Sequence, residues 1–103
     1  MSVRTAVPTD EVTDHSIPER AARALAEYQT VFACGGGVFE VIGEGSEYRV
    51  DLREGRCTCD DHKYRGATCK HIWRAAFAVG LVDIPDSIEP TGDLRVHDGG
   101  LNA

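Results

Sequence analysis

Cys57-Thr58-Cys59-Asp60-Asp61-His62-Lys63-Tyr64-Arg65-Gly66-Ala67-Thr68-Cys69-Lys70-His71 is the stretch on which the reading of this chain turns. It reduces to C-x-C-x9-C-x-H and holds three of the four cysteines. Three thiols bracketing a mostly polar loop are poor core material. In a reducing compartment such a cluster points to metal or thiol chemistry rather than to disulfides. Zn²⁺ prefers four soft or borderline ligands in a tetrahedron, and three thiolates with one imidazole meet that demand. The C-x-C spacing suits an extended strand, where residues i and i+2 project from one face. The C-x-H spacing does not suit a helix interior. Cys69 is therefore expected at or before a first helical turn, with Thr68 near the cap and His71 just inside.

Other readings of the same residues are weaker. His62, three residues after Cys59, is the alternative fourth ligand. A redox pair of Cys57 and Cys59 would leave Cys69 and His71 without a role. Asp60 or Asp61 would serve as a general base only if the metal kept an open position, and four protein ligands leave none. No catalytic residue is expected, and the chain is read as a non-enzyme.

Working outward, residues 38–42 read as a strand and residues 43–46 as a glycine-bearing hairpin loop. Residues 47–53 alternate, with Tyr48, Val50 and Leu52 on one face and charges on the other. Glu54-Gly55 is a second tight turn that sends residues 56–59 back as a short strand. Downstream of Cys69, Ile72, Ala76 and Val79 share a helical face that Trp73, Ala75 and Phe77 widen, and Gly80 stops the helix. Upstream, Ser16-Ile17-Pro18-Glu19 has the form of a capping box. Ala21, Ala24, Leu25 and Tyr28 then mark an amphipathic docking helix over about 17–32, which Gly35-Gly36-Gly37 would end.

The expected fold class is α+β: a small zinc-stabilised meander followed by a helix, with an extra N-terminal helix. Residues 1–15 read as a flexible lead, 16–83 as the domain (finger proper 38–80), and 84–103 as a flexible acidic tail. An ordered part of about 65 residues gives only marginal stability from its core. A single structural Zn²⁺ held by Cys57, Cys59, Cys69 and His71 would supply the difference, since zinc-finger peptides gain roughly 10–16 kcal/mol on binding it.

The ligand pattern, the hairpin before it and the apolar helix after it resemble the SWIM zinc finger. Lys70 between the last two ligands and Arg65-Gly66 before Cys69 strengthen the likeness, which covers about residues 38–80. The resemblance implies a β-β-α zinc module with a closed site, acting in DNA binding or protein–protein contact. The finger is expected to stand nearly alone, without the ATPase or transposase domain that usually accompanies it.

Charge narrows the partners. The 103 residues carry 17 acids and 11 bases, a net charge of −6. This disfavours a uniformly basic DNA coater. The absence of a long apolar run disfavours a membrane span or signal peptide, so a cytoplasmic location is expected. Only Lys63 and Lys70 are lysines, and acid-rich, lysine-poor composition of this kind resembles proteins of salt-loving archaea. Between 56 and 74, however, five bases face two acids. Arg56, Lys63, Arg65, Lys70 and Arg74 are thus candidate nucleic-acid contacts, and DNA or a DNA-processing protein is the expected partner. No small-molecule substrate and no membrane are expected. About four neutralised phosphates would give a salt slope near −3.6. Trp73 and Phe77 are read as core and partner-facing apolar surface, and Cys34, outside the cluster, as a small buried residue.

Overall fold

The structure is a computed structural model that describes residues 7–92 and 94–98. Its α1 (Glu19–Ala26) is followed by β1 (Thr30–Gly35), β2 (Val38–Gly43), β3 (Ser46–Asp51) and β4 (Arg56–Cys57). Then come α2 (Asp60–Arg65), α3 (Lys70–Ala78) and β5 (Val96–Asp98). The sheet order is β4-β3-β2-β1-β5, antiparallel from β1 to β4, with β5 added parallel to β1. The fold is α+β, as the sequence implied.

Register explains where the core lies. Val31 pairs with Val41 and Val41 with Tyr48, while Phe39 pairs with Val50 and Val50 with Cys57. Cross-strand partners share a face, so these residues form one apolar side. Helix α3 packs across that side against β1 to β4, and α1 packs on α3. Glu40 and Arg49 pair on the other side at 3.3 Å. Trp73 and Phe77 are core, with Trp73 only 1% exposed. They offer no partner-facing surface, which corrects the expectation of an apolar docking face there.

The first helix is shorter than its periodicity predicts. It ends at Ala26, and Glu27 is already extended at φ −98°, ψ 142°. Thr30-Val31-Phe32 carries β-branched and aromatic side chains that suit a pleated surface, so the segment expected to be the last helical turn becomes β1. Gly35-Gly36-Gly37, with φ of 91°, 64° and 83°, forms a hairpin turn rather than a helix stop. The alanine face of α1 does lie close against something: Ala21, Ala24 and Leu25 are buried, and the surface they meet is α3 of the same chain.

Parts of segments 7–15, 84–92 and 94–98 lie against the core. Val7 is buried, and Ile84, Ile88, Leu94 and Val96 pack on the core. The expectations for residues 1–6 and 99–103 lie outside the described residues. The tail is held through Arg74. This side chain, 0% exposed, donates to the carbonyl oxygens of Ala24 (2.8 Å), Glu27 (3.0 Å) and Thr91 (2.8 Å). One guanidinium therefore joins α3, the end of α1 and the C-terminal segment. Its planar fork of five donors suits three converging carbonyls.

Two ion pairs brace the helices. Arg20 grips Asp61 through two bonds of 2.7 and 2.9 Å, and Lys70 meets Glu27 at 2.6 Å. The hydrogen bond from Arg20 holds the Asp61 carboxyl below the usual carboxylate range, and that from Lys70 does the same for Glu27. A carboxylate lowered in the fold adds stability above its unfolded pKa, and that contribution is lost as pH falls through the lowered value. Side chains this accessible contribute modestly. Arg74→Ala, by contrast, strips three carbonyls of their donor. It is expected to cost about 3 kcal/mol or more in chemical denaturation of the zinc-loaded protein.

Candidate metal centre

The turn after β3 sets the first ligand. The Asp51 carboxylate accepts the backbone N–H groups of Arg53 (3.0 Å) and Glu54 (3.2 Å), and Gly55 takes φ 67°. The chain then returns as β4 with Cys57 opposite Val50, on the core face. Thr58 continues the pairing, its N–H bonding the Arg49 carbonyl at 3.1 Å. Extended backbone at Cys59 (φ −77°, ψ 160°) keeps it on the side of Cys57, and the same residue is the N-cap of α2. Cys69 is the N-cap of α3 at φ −77°, ψ 170°, and His71 sits in its first turn. Both geometric demands of the spacing are met.

The polar loop between Cys59 and Cys69 contains a short helix that periodicity did not reveal. The cap chemistry carried the signal: Asp60 and Asp61 in the first turn, basic residues in the last, and Gly66 in the left-handed conformation at φ 64°. His62 Nδ1 lies 2.8 Å from the carbonyl oxygen of Ala67, so this histidine closes the loop instead of joining the cluster.

The ligand atoms of Cys57, Cys59, Cys69 and His71 all lie within 4.8 Å of one another, and all four residues are buried. His71 Nδ1 is 3.8 Å from both Cys57 Sγ and Cys69 Sγ. Tetrahedral zinc with ordinary bond lengths sets sulfur–nitrogen edges of about 3.6 Å. The donor chemistry also calls for a cation. A hydrogen bond shared with Cys57, together with burial, pushes the Cys69 thiol up to about 12, and burial raises that of Cys59. The backbone N–H groups of Ile72 and His62 favour the two thiolates but do not outweigh these effects. A divalent ion supplies the missing compensation. The tilted ring of Tyr48, 4.3 Å from that of His71, packs beside the ligand.

The expected basic surface fares differently. Arg74 is buried and engaged, which removes it from the candidate nucleic-acid contacts. Lys70 pairs with Glu27, and Arg65 lies 3.7 Å from Asp61. Arg56 and Lys63 are exposed and form no ion pair among the described residues. Asp61 is occupied by Arg20. Cys34 is exposed rather than buried, because it falls near the turn end of β1.

Elemental analysis should find one zinc per chain. His71→Ala should lose it, whereas His62→Ala should keep it. Cys69→Ser should lose both the metal and the fold of residues 38–80, read by circular dichroism. Structural zinc contributes on the order of 10 kcal/mol, comparable with the whole stability of a small domain. A Cys69→Ser protein with the native spectrum and no zinc would contradict this.

Comparison with curated proteins and with solved structures finds no match. Residues 48–80 match the family model of the SWIM zinc finger, the segment that runs from β3 through both metal-bearing turns to the end of α3. That similarity to the SWIM zinc finger and the buried Cys57, Cys59, Cys69 and His71 cluster together support a zinc-binding module with one structural zinc in this part of the chain.

Proposed function

We propose that the zinc folds this chain into an interaction module that docks a protein partner, within a DNA-processing assembly of the kind the SWIM resemblance implies. One observation carries the choice of protein over nucleic acid. Of the five bases clustered around the finger, Arg74 is spent inside the fold and Lys70 and Arg65 face carboxylates. Arg56 and Lys63 remain, on a chain whose net charge is −6. Phosphate contacts supply most non-specific affinity for nucleic acid, and two cations supply little.

The nucleic-acid reading retains one supporting feature. Tyr28 and Tyr64 are exposed, at 64% and 82%, and bases stack on such rings with little dependence on salt. Fluorescence anisotropy of labelled single-stranded and duplex DNA separates the two readings. Two cations predict a slope of log K against log salt near −1.8. Binding to the zinc-loaded protein should accordingly be weak and vanish toward molar KCl. Tight binding that persists there would establish DNA as the partner instead.

A further inference from the structure

The sheet face opposite α3 does not follow one rule along its width. An antiparallel sheet with one face on a core normally turns polar side chains to the other. Strand β3 obeys, since Glu47, Arg49 and Asp51 all lie on the face away from α3. Strands β1 and β2 do not. Thr30 pairs with Ile42 and Phe32 with Glu40, and Val38 lies two residues before Glu40 on the same face. Phe32, Val38 and Ile42 therefore point away from α3, half-buried and apart from the core. The ring of His97 on β5 steadies Phe32, with 5.3 Å between centroids. Among the described residues no helix packs on this face. Phe32 meets Val38 and Ile42 across the diagonals of the β1–β2 pair, so the three form one apolar patch.

The charges beside the patch decide what can cover it. Glu40, Glu47 and Asp51 share the face with one base, Arg49, which lies 3.3 Å from Glu40. Three acids against one base leave the face with two net negative charges. The Asp51 carboxylate is turned to the backbone N–H groups of Arg53 and Glu54, whereas Glu47 is exposed and forms no ion pair among the described residues. Such a face repels nucleic acid and anionic lipid. A second copy of this chain, laid face to face, would set carboxylates against carboxylates. The patch is also too small for it, because a stable interface engages about 20–30 residues a side. What fits is a short segment with one apolar stripe and cations beside it. A helix presents such a stripe at i, i+3, i+4 and i+7, and α3 already covers the opposite face of the same strands in this way.

We propose that this face docks a short amphipathic helix of the protein partner, with its apolar stripe on Phe32, Val38 and Ile42 and a flanking arginine or lysine against Glu47. The inference rests on the protein-docking reading above and supplies both the surface and the chemistry of what docks. Zinc then organises one face of the sheet, where Cys57 lies opposite Val50, and the partner meets the other.

The test is an NMR titration of the ¹⁵N-labelled, zinc-loaded chain with three synthetic helical peptides of about four turns each. The first carries leucines at i, i+3, i+4 and i+7 spacing with arginines on both flanks of the stripe. The second has glutamates in place of the arginines, and the third has the composition of the first with its leucines spread around the helix. The first should shift the resonances of Thr30, Phe32, Glu40, Ile42 and Glu47 and bind at least about tenfold more tightly than the others. Phe32→Ser should weaken it by a similar factor. Ile42→Thr keeps a β-branched residue in the strand and serves as the second variant if Phe32→Ser folds poorly. Glu47→Lys, at an exposed position, should weaken the arginine peptide and strengthen the glutamate one. Equal binding of the three peptides, undiminished binding to the variants, shifts confined to other surfaces, or no binding at all would overturn the inference. Shifts of the same resonances on raising the protein concentration alone would also overturn it and mark a contact between copies. Failure of the protein-docking reading is seen separately, as salt-resistant DNA binding.

Discussion

Buried sulfur without a counter-charge is the constraint around which this small protein is arranged. Three thiols and an imidazole converge in the angle between a sheet and two helix starts, where water cannot solvate a thiolate. A hydrogen bond shared with Cys57, together with burial, raises the Cys69 thiol, and burial raises that of Cys59. A zinc ion turns that cost into a bond between elements that have few other reasons to meet: a two-residue strand, a six-residue helix and the first turn of α3. None of these would persist alone.

Around that centre the charged side chains act mostly as internal fasteners. Arg20 reaches from α1 to α2, Lys70 from α3 to the end of α1, and Arg74 through the core to three carbonyl groups. Two of the bases that look in one dimension like a surface for phosphates, Lys70 and Arg74, are in three dimensions spent on joining elements. Local charge counting cannot foresee this, because Ala24, Glu27 and Thr91 are remote from Arg74 in sequence.

The metal site was legible in the sequence because its logic is local. C-x-C demands a strand, C-x-H demands a helix start, and both demands are met by residues adjacent in the chain. The meander from Val38 to Cys57 was legible for the same reason, since alternation and glycine turns are short-range signals. What failed was long-range. Thr30-Val31-Phe32 becomes a strand because β2 and β5 flank it, a fact absent from the helical periodicity preceding it. Ile84, Ile88, Leu94 and Val96 are isolated apolar residues in an acidic, turn-rich stretch, and each fills a gap made by elements elsewhere. Residue type alone makes Cys34 a buried residue, whereas its place near the turn end of β1 decides its exposure. Helix α2 stood between these cases, written in caps rather than in apolar spacing.

The parallel pairing of β5 with β1 carries a kinetic consequence. Val31 lies beside Val96, so the strand that covers one side of β1 is far from it in sequence and follows the finger. Contacts between residues so distant in sequence close large loops and form late, whereas the meander can assemble from neighbours. During synthesis the finger can therefore gather its metal before the sheet is complete. In that interval the backbone N–H and C=O groups along one side of β1 stay unpaired, an edge open to other chains. The residues that cover it, Val96–Asp98, are made only after the finger.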